Sequence, residues 1–138
     1  MDDYPRAPYL TEEEGHLDLQ VWVIVSSRAL ARVAAALDKK EDQKLYEDLV
    51  ERYTAALHQH FWDDKRQIFD DYYISKETGE KTFEGHTGYL NFWPFFLNVL
   101  DPSDERFKAS FEMLIDAKSA MLTDFGVRSL SKHDPYYR

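Results

Sequence analysis

The chain has 138 residues, 43% of them hydrophobic and 15% aromatic, which is enough apolar mass for one globular core and no more. Its formal net charge of -9 is spread along the sequence and would repel an extended phosphate backbone, so nucleic acid is excluded as the expected partner. It has no cysteine, which excludes a disulfide framework and a thiolate metal site and leaves the redox compartment open.

Taken in chain order, the first element is announced by Thr11 to Glu14, which fits the S/T-x-x-E capping box. A long helix is expected from Glu13 to about Leu37, since that run has no Pro and no Gly after Gly15. Leu19 to Val25 contains one polar residue and Ala29 to Leu37 is rich in alanine, so this helix should be buried on several sides. Its most apolar stretch is far shorter than the roughly 20 residues needed to cross a bilayer, and Asp18 and Arg28 close it off. It therefore reads as a core helix, with no membrane contact. Met1-Asp2-Asp3 lacks the basic start of a secretory signal, so no targeting signal is expected.

Leu45, Leu49, Tyr53, Leu57 and Phe61 recur every fourth residue in a segment otherwise full of charge, which predicts a second, outer helix over about 42–62. After Trp62 the period changes. Asp63-Asp64-Lys65 and Lys76 to Lys81 are turn-rich and Ile68 to Ile74 is β-branched and aromatic, which predicts a short β-hairpin excursion. Tyr89 to Leu100 reads as an aromatic helix interrupted by Pro94. Asp101-Pro102 supplies an N-cap with proline at the first position of a last helix, whose apolar stripe is Phe107, Phe111, Leu114 and Ile115. From Thr123 onward the periodicity is lost. The fold class expected from this pattern is all-α with one hairpin.

Four ordered segments carry a family resemblance: Met1-Asp2-Asp3-Tyr4-Pro5-Arg6-Ala7; His16-Leu17-Asp18-Leu19; Gly88-Tyr89-Leu90 leading into Phe92-Trp93-Pro94-Phe95-Phe96; and Phe125-Gly126-Val127-Arg128-Ser129-Leu130 with Asp134-Pro135-Tyr136-Tyr137-Arg138. In these the chain resembles glycoside hydrolase family 63, the mannosyl-oligosaccharide glucosidases. The resemblance implies an (α/α)6 toroid in which the first helix is an inner one. A toroid of six helix pairs cannot close with about four helices, so residues 1–138 are expected to be a fragment of one catalytic domain. Catalysis would invert the anomeric centre with two carboxyl groups, one protonating the departing oxygen and one activating water. Asp2 stands where the family keeps its general acid, and the base glutamate lies beyond this chain. Arg128 and Asp134 match the family's loop at the mouth of the barrel and are implied sugar-binding groups.

The residues themselves bear on the same site. An acid needs burial or a neighbouring negative charge to hold its proton at neutral pH, and Asp3 can supply that charge. Two acidic residues at a chain end are otherwise simply solvated. Arg6 offers a fork of donors to sugar hydroxyls or carboxylates, or is an exposed arginine. Asp18 and Trp22 lie one turn apart, so they are either a carboxylate beside an aromatic plate for a pyranose or a core tryptophan and a loop tie. His86, between Gly85 and Gly88, is either aimed into a cleft or structural. The histidines form no ligand set, because His58 and His60 face different ways on a helix, so neither metal nor cofactor is expected. The expected partners are an oligosaccharide substrate and the rest of the parent domain. The resemblance places the parent in the endoplasmic reticulum, trimming glucose from the N-glycan precursor. A bacterial-type α-glucosidase acting on another oligosaccharide and a non-catalytic acidic helical interaction module stand as alternatives, and the isolated fragment is expected to be inactive.

Overall fold

The computed structural model describes residues 13–137. Two long helices come first, α1 (Leu17–Ala36) and α2 (Lys40–His60). Three two-stranded antiparallel ladders follow among shorter helices. They are β1 (Trp62–Asp63) with β2 (Ile68–Phe69), β3 (Tyr72–Ile74) with β4 (Lys81–Phe83), and β5 (Leu122–Thr123) with β6 (Gly126–Val127). A 3-10 turn at Tyr89–Phe92 runs into the short α3 (Trp93–Phe96), and α4 is Glu105–Ile115. The described residues are thus a helical assembly with several small hairpins, where the sequence predicted one.

The start of α1 differs from the expected capping box. Thr11 lies outside the described residues, and the helix begins later, at Leu17. The reason is that Gly15 is extended and exchanges two backbone hydrogen bonds with Tyr72, at 2.8 and 3.1 Å. A side chain at position 15 would run into the Tyr72 ring, so glycine is what lets the two segments meet. The orphan N–H of Leu17 is then accepted by Oδ1 of buried Asp71 at 2.7 Å, a cap supplied from a distant part of the chain.

A three-residue turn with Asp38 at φ 51° reverses the chain into α2. Gln20, near the start of α1, donates to the carbonyl of Tyr53, near the end of α2, at 2.6 Å, which fixes the pair as antiparallel. Leu17, Val21, Ile24, Leu57, Phe61, Phe69, Val99 and Leu100 form the main core between them and the C-terminal half. Each of these side chains, fully buried, contributes about 1.5–3 kcal/mol of transfer free energy. Arg28 crosses to the same half, donating to the carbonyls of Asn98 at 2.6 Å and Val99 at 3.3 Å.

The expectation that α1 is buried on several sides is corrected within the described residues. Leu19, Trp22, Leu30, Val33 and Leu37 are exposed along one side while Leu17, Val21, Ile24, Ala31 and Ala34 are buried. These exposed residues repeat at helical spacing, so they form one continuous apolar stripe. At 20 residues α1 also reaches the length and apolarity of a membrane span, but its packed face is shared with a charged, amphipathic α2. α2 itself follows its predicted stripe, with Leu57 and Phe61 buried and Leu45 exposed at its far end.

Two further boundaries move. Pro94 falls in the first turn of α3, where its missing N–H has no helical partner to lose. The N-cap of α4 is Asp104, whose Oδ1 accepts from Arg106 N at 2.8 Å, while Asp101 caps the preceding turn through Ser103. In α4 Leu114 and Ser110 are buried, but Phe111 and Ile115 stay about half exposed, so the expected four-residue stripe is covered only in part. Leu114 joins Ile68, Phe92 and Met121 in a second core cluster.

Candidate functional site

Four of the buried polar residues, Asp70, Asp71, Asn91 and Ser131, gather around one place, the segment 84–88 and what holds it. β2 ends in Phe69, and the next two residues, Asp70 and Asp71, are buried although both are carboxylates. Buried charge must be paired and hydrogen-bonded, and here it is. Asp70 Oδ2 accepts from Arg66 Nη1 at 2.5 Å and from Gly85 N at 2.8 Å, and its Oδ1 accepts from Asp71 N at 2.9 Å. Asn91, also buried, donates to the carbonyl of Phe69 at 2.7 Å and accepts from Gly88 N at 2.6 Å. The loop is thereby anchored at both of its glycines.

Arg66 is the hub. Besides Asp70 it donates through Nη2 to the His86 carbonyl at 2.9 Å and to Thr87 Oγ1 at 3.1 Å. The planar guanidinium fork suits this task because one side chain reaches three acceptors in fixed directions. Gly85, at φ 85°, allows the chain to turn sharply between Glu84 and His86.

The last stretch of chain closes the other side. Tyr89 N donates to the Ser129 carbonyl at 3.0 Å and Ser131 N to the Thr87 carbonyl at 2.7 Å. His86 Nδ1 lies 2.9 Å from Asp134 Oδ2, and the Tyr136 ring stands edge-on to the imidazole with centroids 5.3 Å apart. Gly85, Thr87, Ser131, His133, Asp134 and Pro135 line a small cleft of about 140 Å³. A larger cleft of about 360 Å³, beside Trp62 and Arg106, shares no lining residue with it.

Electrostatically the site is acidic. Burial pushes the Asp70 carboxyl up to about 6, against the opposing pull of Arg66 and the Gly85 N–H. Burial, reinforced by the charges of Asp71 and Asp70, pushes Glu84 up to about 7. His16 completes this side, 3.3 Å from Glu14 and 3.8 Å from Asp71. Such an arrangement holds a proton on a carboxyl near neutrality, which general acid chemistry needs. Among the described residues no three histidine, aspartate or glutamate side chains are placed to hold a metal ion.

The whole chain, residues 1–138, matches the glycosyl hydrolase family 63 C-terminal domain. It belongs to that family. The chain is 28% identical to the mannosyl-oligosaccharide glucosidase of Saccharomyces cerevisiae, with 99% of this chain and 16% of the relative covered. It is 30% identical to a Schizosaccharomyces pombe protein named "Probable mannosyl-oligosaccharide glucosidase", covering 99% of this chain and 17% of the relative. A mannosyl-oligosaccharide glucosidase of Arabidopsis thaliana is 25% identical, with 99% and 20% covered. The chain therefore spans about a fifth or less of the length of these family 63 relatives.

Against the family 63 expectations, the structure brings His86 and Asp134 into contact. Trp22 is 48% exposed and meets Trp93 edge-on at 5.6 Å, and Trp93 in turn meets the tilted Tyr89 ring at 6.0 Å, so an aromatic row leads from α1 toward the His86 loop. Asp18 lies in the first turn of α1, where its Oδ1 accepts from Leu19 N at 2.8 Å. Arg128 turns inward to the carbonyls of Ala120 at 2.9 Å and Leu122 at 3.3 Å, a tie within its own loop. Asp2, Asp3 and Arg6 lie outside the described residues. Sequence reasoning missed Arg66, Asp70, Asp71, Glu84 and Asn91. Their spacing resembles that of solvated turn residues, and the one local signal was two carboxylates directly after the apolar pair Ile68-Phe69.

Proposed function

We propose that this chain is a segment of the catalytic domain of an inverting α-glucosidase, with Asp2 as the general acid and the base on a part of the domain outside residues 1–138. The observation that carries the reading is the family 63 match across the entire chain, including Asp2-Asp3-Tyr4-Pro5-Arg6. The geometry of the His86 loop supports it. A pyranose needs hydrogen-bonding groups held rigidly beside aromatic surface, and His86, Glu84 and the Trp22–Trp93–Tyr89 row supply that combination.

In this reading Asp2 protonates the departing glycosidic oxygen while the distant base takes a proton from water attacking the opposite face. Asp3 raises the proton affinity of Asp2, and Arg6, Asp18, Trp22 and His86 contact the sugar. Arg128 and Asp134 shape the mouth of the barrel. The domain is an (α/α)6 toroid in which α1 and α2 form one inner and outer pair, and the apolar stripe of α1 packs against a neighbouring helix of the parent. The substrate is the glucosylated N-glycan precursor, whose terminal glucose is released in the endoplasmic reticulum. The names of the fungal and plant relatives support that choice of substrate.

The test uses the full-length protein. Asp2→Asn keeps size and polarity but removes the transferable proton, so turnover of a glucoside with a poor leaving group should fall by several powers of ten. A glucosyl fluoride, which needs little protonation, should recover much of that loss. If Asp3→Asn gives the rescued phenotype and Asp2→Asn is silent, the acid is Asp3 and the assignment is wrong.

A further inference from the structure

The small cleft between the 84–88 loop and the last stretch of chain is lined by six residues, and most of its polar groups are already engaged. Gly85 and Pro135 bring no polar side chain. Ser131 Oγ donates to the Ser119 carbonyl at 2.7 Å and accepts from His133 N at 3.2 Å. Asp134 accepts from Tyr136 N through Oδ1 at 2.9 Å, and its Oδ2 lies 2.9 Å from His86 Nδ1. His133 is exposed, and no described residue holds its ring. The remaining group is the Thr87 hydroxyl. Arg66 Nη2 approaches its Oγ1 at 3.1 Å, and because a guanidinium only donates, the hydroxyl oxygen is the acceptor. Its hydrogen must then turn away from Arg66, and it has no acceptor among the described residues.

We propose that Thr87 is a substrate-binding residue whose hydroxyl donates a hydrogen bond to one hydroxyl oxygen of the terminal glucose. The inference rests on the α-glucosidase reading and names a contact within it. Position, direction and strength all favour the donor. The backbone around it is pinned: the Thr87 carbonyl accepts from Ser131 N at 2.7 Å, the His86 carbonyl from Arg66 at 2.9 Å, and the N–H groups of Gly85 and Gly88 are held by Asp70 and Asn91. A β-branched side chain on so fixed a backbone has few χ1 choices, so its oxygen does not wander. The guanidinium at that oxygen draws electron density from the O–H bond and strengthens it as a donor. At about 140 Å³ the cleft is smaller than the roughly 300–1,000 Å³ that encloses a drug-sized ligand, so it admits one edge of a sugar ring. The last sugar of a chain presents such an edge of free hydroxyls, whereas an internal sugar is flanked on both sides.

The experiment is made on the full-length protein, with steady-state kinetics on an α-glucoside and on its four analogues lacking the 2-, 3-, 4- or 6-hydroxyl of the terminal glucose. Thr87→Val keeps the shape and removes the hydroxyl, and should lower kcat/KM on the parent glucoside about tenfold. Thr87→Ser keeps the donor and should stay within about threefold of the wild type. One analogue lacks the partner oxygen, and on it the wild type should itself lose about tenfold while Thr87→Val loses less than about twofold more, the coupling expected of two groups in contact. The other three should report the full loss from Thr87→Val. An equal loss from Thr87→Val on all five substrates would show that the hydroxyl serves only Arg66 and the loop, and overturns the proposal, as does no loss on any. Should Thr87→Val fail to fold, Thr87→Ala, which leaves room for a water on Arg66, goes through the same series. The wild type alone also decides against the contact if all four analogues match the parent glucoside within about twofold. A wild type that turns over no α-glucoside overturns the glucosidase reading and the inference with it, whereas turnover with a uniform loss overturns the inference alone.

Discussion

Replacing Arg66 by methionine removes the hub while keeping most of the aliphatic stem. Asp70, whose side chain is 1% exposed, would lose its one cationic partner among the described residues and keep the N–H groups of Gly85 and Asp71 and the longer contact from the Asn91 amide. Breaking a buried pair from one side costs about 3–5 kcal/mol when the remaining charge is trapped. Here it is not fully trapped, because the carboxyl already stands at about 6 and can take up a proton. Near neutrality that route costs roughly 1.4 kcal/mol per pH unit, and the lost bonds to His86 O and Thr87 Oγ1 add about 1 kcal/mol each. Arg66→Met should therefore destabilise the chain by ~3 kcal/mol at neutral pH. The sign with pH follows from protonation. A folded-state carboxyl raised above its unfolded value binds protons preferentially in the native state, so stability rises as pH falls through that interval. The deficit of Arg66→Met should shrink below about pH 6, where Asp70 is protonated in the wild type as well. Urea unfolding followed by circular dichroism at mildly acidic and mildly alkaline pH measures both quantities. A loss under ~1 kcal/mol, or one that grows on acidification, would refute the reasoning.

Glu84, pushed up to about 7, makes the native state less stable as pH rises from the ordinary glutamate value of 4.5 through neutrality. Glu84→Gln should flatten that slope and stabilise the chain by ~1 kcal/mol at neutral pH, a figure discounted for its partial exposure; an unchanged urea midpoint and slope would show the carboxyl is relaxed by solvent. The stripe of Leu19, Trp22, Leu30, Val33 and Leu37 should make the 138-residue chain self-associate, and Leu30→Glu with Val33→Glu should return it to a monomer. Sedimentation velocity over a dilution series measures this, and a dilution-insensitive monomer for the unaltered chain contradicts it.

The parts of the fold visible in the sequence were those set by periodicity. The stripe from Leu45 to Phe61 gives α2, and the apolar, proline-free run gives α1 and its antiparallel return, since both are local patterns. The start of α1 was not visible, because Gly15 and Leu17 find their partners at Tyr72 and Asp71, more than fifty residues on. The cap of α4 was misplaced by three residues because Asp101-Pro102 and Asp104-Glu105 offer the same local chemistry, and Ser103 settles it by occupying Asp101. Of the site, His86 and Asp134 were singled out separately, His86 by its flanking glycines and Asp134 by resemblance, but their contact is tertiary. Asp70 and Asp71 were passed over because a buried aspartate and a solvated one are spelled alike. Only the approach of Arg66 and of the α1 terminus makes their burial affordable.

The proposed chemistry requires that the parent protein hydrolyse an α-glucoside with inversion. Proton NMR of the freshly released sugar, taken before mutarotation, reads this directly on the full-length protein. β-Glucose is the expected first product from an α-linked substrate, since a carboxyl-activated water attacks the face opposite the departing oxygen. α-Glucose appearing first would mean a double displacement through a covalent intermediate, and would contradict the pairing of Asp2 with a distant general base.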